Sequence, residues 1–293
     1  MEQLHSQKIN IRRARQSDKR IVLDFCKHTF GRWGDYLPEV WDEWIKERKG
    51  IFFVATLDQR PVGVGKITVQ RPGELWLEGL RVDPKFRGHH IGRAIQDWSW
   101  RKALSLKPMV VRYATGSYNK ISQHLGMSKG MRIVAEFDEY TTRPLARKET
   151  VLVRSRPEEL EALYSLFRRD DSADLWHGLM LEGWVAKSLD QRELKKLINE
   201  RRVYSYHDDK GLAGAVAILQ SKDGEYFNYC RSAARNSKIF KKVLHEGRIL
   251  ASLRGAKQME MHLPKSARIR RIVKGTGWRR PMDIWMVILE KRF

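Results

Sequence analysis

The sequence predicts a mixed α/β fold built twice in tandem. Three observations predict it: matching strand–helix openings near Ile11 and Val151, matching pairs of β-rich runs at residues 51–69 and 202–220, and matching helix–Gly–strand endings that begin at Asn119 and Ser266. Arg13 to Met131 spans 118 residues and Arg154 to Trp278 spans 124. Landmarks recurring in one order at nearly one spacing are the signature of duplication.

The first copy opens on Ile11-Arg12-Arg13-Ala14-Arg15, a short strand, and Ser17-Asp18 then supplies N-cap chemistry for a helix. The second opens on Val151–Arg156, followed by Pro157-Glu158-Glu159 and the stretch LEALYSLFRR. Proline in a first helical turn and acids at the positive end of the helix dipole both favour a start there. Each copy continues with two β-rich runs split by a turn, Asp58-Gln59-Arg60-Pro61 in one and Asp208-Asp209-Lys210-Gly211 in the other. Each ends with a helical stretch, a glycine stop at Gly130 or Gly277, and a final strand. The polar connector TTRPLARK divides the chain into expected domains 1–145 and 150–293.

Bulk properties narrow the class. The 293 residues exceed the ~100–200 of a usual single domain, and 42% hydrophobic residues suffice for a core in each copy. No apolar run reaches the ~18 residues of a membrane span, and the first residues hold no leader-type apolar stretch. Cys26 and Cys230 are the two cysteines and form no CxxC pair, so neither a disulfide framework nor a metal site is expected and a cytoplasmic setting is. The net charge is +22, with 28 Lys and Arg against 17 Asp and Glu in residues 1–150 and 29 against 18 in residues 151–293, so each half is +11. A basic folded body attracts polyanions, either nucleic acid or a phosphorylated cofactor.

Chemistry concentrates in residues 75–98. Leu75 to Val82 alternates as a strand, Asp83-Pro84 ends it, Arg87–Gly92 forms a glycine-containing turn, and a helix runs from Gly92 to about Leu106. A strand, a tight turn and a helix N-terminus converge free amides on one point, where the helix dipole favours negative charge. Arg87 and Arg93 add full positive charges. A pyrophosphate is the natural guest.

Here the chain resembles the GNAT superfamily of N-acetyltransferases, whose signature is Arg/Gln-x-x-Gly-x-Gly/Ala preceded by Leu-x-Val-x-Pro-x-aromatic. The matching residues are Leu80-Arg81-Val82-Asp83-Pro84-Lys85-Phe86-Arg87-Gly88-His89-His90-Ile91-Gly92, with His90 where a glycine is usual. Such a turn tolerates the histidine if its φ is negative. The family's later Asn-x-x-Ala-x-x-Leu-Tyr is similar to Asn119-Lys-Ile-Ser122-Gln-His-Leu125-Gly126. The resemblance covers residues 10–140. It implies two tandem GNAT-like domains, each with a central, mainly antiparallel sheet flanked by helices.

The resemblance also implies a reaction: direct transfer of an acetyl group from acetyl-CoA to an amine, whether an amino acid, a polyamine, a lysine or a protein N-terminus. Backbone groups of Leu80, Arg81 and Val82 would line the pantetheine and thioester where two strands splay. Arg87, Gly88, His89, His90, Ile91, Gly92 and Arg93 would hold the pyrophosphate, and Asn119 and Ser122 the pantetheine arm. Glu78 is the candidate general base, since an ammonium must lose a proton before it attacks. Strand alternation places it on one face with Leu80 and Val82. The usual acid, a tyrosine, is replaced by Gly126, leaving His124 and Tyr118 as candidates. Trp33-Gly34-Asp35-Tyr36 lies where the family builds its acceptor pocket, and most of the ten tryptophans, which include Trp98, Trp176 and Trp184, read as core.

The second copy shows no such signature after its equivalent strand, Glu225–Arg231, and reads as a non-catalytic repeat. The alternative is a weak or inactive GNAT scaffold that binds nucleic acid or the ribosome through its charge. A monomer is preferred, because an internal duplication can stand in for a homodimer.

Overall fold

Asp18 sets the first turn of the chain. Its carboxylate accepts the Arg15 N–H at 2.8 Å and is clamped by both terminal nitrogens of Arg12 at 2.7 and 2.8 Å. This arrangement links β1 (Asn10–Arg13) to α1 (Lys19–Cys26) in the computed structural model, which describes residues 9–29, 34–169 and 172–293. The amphipathic α2 (Leu37–Lys46) follows, with Pro in its first turn. β2 (Ile51–Leu57) and β3 (Arg60–Arg71) form the expected hairpin. Asp58 and Gln59 both take left-handed φ, 44° and 67°, the turn that suits the twist of a two-residue hairpin.

β4 (Glu74–Val82) pairs antiparallel with β3, α3 (Ile91–Ser105) crosses over, and β5 (Val110–Gly116) returns parallel to β4. α4 (Lys120–Met127) follows. The strand order is β1-β2-β3-β4-β5. Alternation along the strands divides the core into two layers. Phe52, Val54 and Val64 pack with Val22, Cys26, Leu37, Trp41 and Trp44 of α1, α2 and their flanks. On the other face Gly63 lets α3 approach, since a Cβ there would lie 2.6 Å from Ile95 Cδ1, and Phe53 meets Trp98 at 4.7 Å.

The second opening repeats the first. β6 (Arg132–Thr142) and β7 (Val153–Arg154) precede a turn in which Glu159 accepts the Arg156 N–H at 2.7 Å, as Asp18 does for Arg15. α5 (Leu160–Arg169) and the hairpin of β8 (Leu179–Glu182) and β9 (Val185–Ser188) follow. Next come α6 (Gln191–Asn199), β10 (Val203–Asp208), β11 (Gly211–Gln220) and β12 (Tyr226–Ala234). α7 (Ser237–Leu253), β13 (Gln258–Pro264), α8 (Ala267–Val273) and β14 (Trp285–Arg292) complete the chain. Here the strand order is β14-β6-β13-β12-β11-β10-β7. β12 and β13 run parallel; β13 pairs antiparallel with β6.

The chain therefore has the mixed α/β, mainly antiparallel architecture read from the sequence. It divides into two compact units. Unit 1 comprises residues up to Tyr113, Ile121–Arg132 and Glu290–Phe293; unit 2 comprises Ala114–Lys120 and Ile133–Leu289. β6 precedes the connector in sequence, yet its ladder to β13, from Phe137↔Pro264 to Thr142↔Met259, lies within unit 2. Among the described residues, no helix is long and apolar enough to cross a membrane.

Candidate functional site

The β3–β4 ladder carries a bulge that decides which side chains meet. Val64 pairs with Arg81 and Lys66 with Glu78, so one residue of β3, Gly65, spans two of β4, Gly79 and Leu80. Gly79 is required twice over: its φ is +70°, and a Cβ would lie 2.9 Å from Trp44 Cζ3. An inserted residue reverses the alternation beyond it. Glu78 therefore shares its face with Arg81, toward α1 and α2, while Val82 lies opposite Gly63 on the α3 side. The expected grouping of Glu78 with Leu80 and Val82 is corrected by this register shift.

Around Glu78 the face is charged and aromatic. Thr68 Oγ1 donates to Glu78 Oε1, and Lys66 Nζ stands 3.7 Å from that same oxygen. Lys66 is 5% exposed, lies 2.6 Å from Glu47 Oε2, and sits 4.6 Å from the centroid of Trp44. Burial pushes the Glu78 carboxyl above its ordinary value, opposed by the Thr68 hydroxyl and the Lys66 charge. Beside it, Arg81 Nε donates to Asp35 at 2.8 Å, and its guanidinium lies 5.3 Å from the ring of Tyr36. Burial raises the Tyr36 phenol to about 12. Of the proposed acceptor segment, Asp35 and Tyr36 are thus at the site, while Trp33 lies outside the described residues. Lys66, Glu47 and Thr68 were not singled out from the sequence. The signal was a lone lysine inside the apolar run VGVGKITV.

The parallel ladder of β4 and β5 extends only from Glu74↔Val110 to Trp76↔Arg112, whereas β4 continues to Val82. Residues 77–82 thus form a strand edge beyond the β5 ladder. Past that edge Asp83 accepts the Lys85 N–H at 3.0 Å and starts the turn into α3. Arg87, Gly88, His89, His90 and Arg93 are exposed, and Ile91 is buried. Gly88 has φ +83°. The N-cap of α3 is His90, which makes no side-chain capping bond, so the first-turn amides point outward without an internal acceptor.

His90 itself has φ 57° and ψ 11°. The histidine does not sit at the negative φ that would make it a cost-free replacement for glycine. It holds a left-handed conformation, at a strain of roughly 1 kcal/mol or more. Gly92 has ample room, because a Cβ there would meet only Val82 Cγ2, at 3.7 Å.

The remaining candidates lie apart from this cluster in sequence. His124, on α4, is exposed, and the Ser122 carbonyl accepts the Tyr113 hydroxyl at 2.5 Å; both are in unit 1. Tyr118 and Asn119 belong to unit 2, where Tyr118 is exposed and the Asn119 N–H donates to the Gly116 carbonyl at 3.0 Å. Gly126 has a packing cause. A Cβ there would lie 2.9 Å from Tyr113 Cε1 and closer still to its hydroxyl. The place where a side chain would begin is filled by Tyr113, which is 7% exposed and pushed up to about 12 by burial.

Unit 2 treats the equivalent junction differently. Eight residues separate β4 from α3, but Arg235 and Asn236 alone separate β12 from α7. Asn236 Oδ1 accepts the Ile239 N–H at 3.0 Å, so the start of α7 is closed by its own cap. Trp176 is core, as read from the sequence, but Trp184 is 41% exposed.

Residues 19–125 match the family model described as Acetyltransferase (GNAT) family. No curated protein matches the chain at a significant level. Among solved structures, a GCN5-related N-acetyltransferase from Sphaerobacter thermophilus is similar at 14% identity and a TM-score of 0.64, over 97% of this chain and 95% of that one. A tandem GNAT protein from the clavulanic acid biosynthesis pathway is similar at 12% identity and a TM-score of 0.59, over 97% and 98%. A GNAT-family acetyltransferase from Colwellia psychrerythraea is similar at 15% identity and a TM-score of 0.52, over 98% and 99%. At such identities the likeness is one of fold.

Proposed function

From the premise that residues 19–125 form an acetyltransferase domain of the GNAT family, we propose that unit 1 transfers an acetyl group from acetyl-CoA to an amine. One observation carries the reading. The uncapped start of α3 opens from the same strand, β4, whose residues Leu77 to Val82 lie beyond the β5 ladder and whose Glu78 stands in a charged, half-enclosed setting. An acetyl-CoA diphosphate would sit on the amides of residues 91–93 with Arg87 and Arg93 beside it. The pantetheine would lie along β4 as a further strand, accepting from and donating to the backbone of Leu80, Arg81 and Val82.

Glu78 would take the proton of the incoming ammonium, directly or through water, a contribution of ~10²–10⁴ in rate. Its raised proton affinity suits that task, because a base works best when its pKa approaches the working pH. Lys66 and Thr68 hold the carboxylate in place. Asp35 orients Arg81 at the same face. The acceptor arrives on the side lined by Tyr36 and Trp44, whose rings meet edge to face at 6.0 Å.

Unit 2 is proposed as a repeat without a cofactor site, since its β12–α7 junction is only two residues long and its Asn236 takes the Ile239 amide as a cap. A thiol-release assay with acetyl-CoA and a panel of amino acids, polyamines and peptides tests the reading. Turnover that falls by two or more orders of magnitude in Glu78→Gln supports it. Turnover unchanged in that variant removes Glu78, and silence across the panel with no acetyl-CoA binding removes the activity.

A further inference from the structure

The face of unit 2 that carries Asn228 holds two glutamates that no lysine or arginine among the described residues answers. In the β6–β13 ladder Glu139 stands directly opposite His262, and Glu260 lies two residues before His262 on the same strand face. Asn228 is the partner of Glu260 across β12–β13. His262 Nδ1 is 3.4 Å from Glu260 Oε1 and its Nε2 is 3.9 Å from Glu139 Oε2. The imidazole is fully buried, yet neither ring nitrogen makes a hydrogen bond. Glu260 is held by the Tyr226 hydroxyl and by Asn228 Nδ2 at 3.4 Å, while Glu139 has no lysine or arginine partner among the described residues and faces only that imidazole, which burial lowers to about 3 and so keeps neutral.

The two carboxylates remain 20% and 14% exposed, so the group reaches solvent. Trp184, on the β8–β9 turn, meets His262 in a T-shaped arrangement with ring centroids 6.1 Å apart and is itself 41% exposed. In a chain of +22, a pair of half-enclosed acids without a basic neighbour is an exception that asks for a cation. The corresponding strand of unit 1 shows the alternative. There β5 places Arg112 between Glu74 and Glu290, and its Nε lies 2.6 Å from Glu290. Unit 2 has Glu260 on the equivalent strand and, among the described residues, no arginine paired with it.

We propose that Glu139, Glu260, His262 and Trp184 form a binding site for an organic ammonium group, a primary amine or the end of a diamine. Three ammonium hydrogens match two carboxylates and one orphaned imidazole nitrogen, and an indole at the rim attracts the same charge. A metal ion suits the group less well, because no set of three or more His, Cys, Asp or Glu among the described residues is arranged to hold one. The site lies wholly in unit 2 and is independent of the reaction assigned to unit 1.

The test is calorimetric titration of the full chain with butylamine and 1,4-diaminobutane, in parallel with Mg²⁺ and Zn²⁺. Saturable amine binding is expected. Glu139→Gln and Glu260→Gln should each weaken it at least tenfold, and Glu78→Gln should leave it in place. Because Trp184 is exposed, Trp184→Ala keeps the fold if either glutamine variant loses it, and should weaken binding severalfold. The proposal is overturned if no amine binds, if a divalent metal binds instead, or if amine affinity survives the unit 2 substitutions and disappears with Glu78→Gln.

Discussion

Lys66 and Glu78 stand directly opposite each other across the β3–β4 ladder, with Nζ 3.7 Å from Oε1 and the same ammonium 2.6 Å from Glu47. One buried cation is thus shared between two carboxylates. Burial drives the proton affinity of Glu78 upward and Lys66 restrains it. A base with a raised pKa loses activity as pH falls through that pKa, so the acid limb of kcat/KM should lie above the ordinary value for a glutamate, 4.5.

Replacing the cation tests this coupling. Lys66→Met should move the acid limb further toward alkaline pH, by about one unit or more, the size of one neighbouring opposite charge. A pH–rate profile of both forms at saturating acetyl-CoA reads the shift. An unmoved or acid-shifted limb in Lys66→Met shows that the ammonium does not tune Glu78.

His90 carries backbone strain at the mouth of α3 because its φ is 57°. His90→Gly should raise stability by about 1 kcal/mol, minus the few tenths to 1 kcal/mol that glycine gives back through the unfolded chain. Acetyl-CoA affinity should hold or rise, since less bulk faces the diphosphate. Urea midpoints and a binding isotherm measure the two effects together. A loss of both stability and affinity would make the imidazole itself a ligand of the cofactor.

Gly126 and Tyr113 form a packing pair. Gly126→Ala should destabilise unit 1 by ~1–3 kcal/mol through overpacking. Tyr113→Phe, which removes the atom nearest the new methyl, should recover part of that loss in the double variant. A double-mutant cycle in denaturant gives the coupling; additive effects would mean the two residues do not meet.

Much of the fold was legible from residues that act locally. Asp58-Gln59 marked its hairpin, Pro157 its helix start, and Asp83-Pro84 the end of β4. The turn from β4 into α3 was legible because its glycines and arginines lie close together, between Arg87 and Arg93. The companion of Glu78 was not, because it depends on a bulge, and a bulge is a property of two strands read together. Nothing in Leu77-Glu78-Gly79-Leu80 alone states that Gly65 will span both Gly79 and Leu80. Gly126 invited a catalytic reading, the loss of a tyrosine, but its cause lies thirteen residues upstream in Tyr113. The closed junction of unit 2 was readable in principle, since Asn236 before an amphipathic run is an N-cap signal.

Glu139 supplies a separate prediction about stability. Burial, reinforced by Glu260, raises its carboxyl from 4.5 to about 7 in the folded chain. A raised folded pKa means the native state holds the proton more tightly than the unfolded state. The resulting stability is present in full below about pH 4.5 and is lost as pH rises through 7. Glu139→Gln should therefore gain on the parent protein by ~3 kcal/mol at pH 8 relative to pH 4, from 1.36 kcal/mol per pKa unit. Denaturant midpoints at the two pH values, without added amine, check it; an equal difference at both would place the Glu139 pKa in the ordinary range.

The central claim is that the turn from Val82 into α3 captures the diphosphate of acetyl-CoA. Calorimetric titration of acetyl-CoA into the parent protein and into Gly92→Glu tests it most directly. The open space at Gly92 lets the fold accept that side chain, which puts bulk and negative charge onto the helix N-terminus. The account predicts saturable binding at one site per chain, lost or weakened at least a hundredfold in the folded variant. Acetyl-CoA that fails to bind the parent, or that binds both proteins equally, would contradict it.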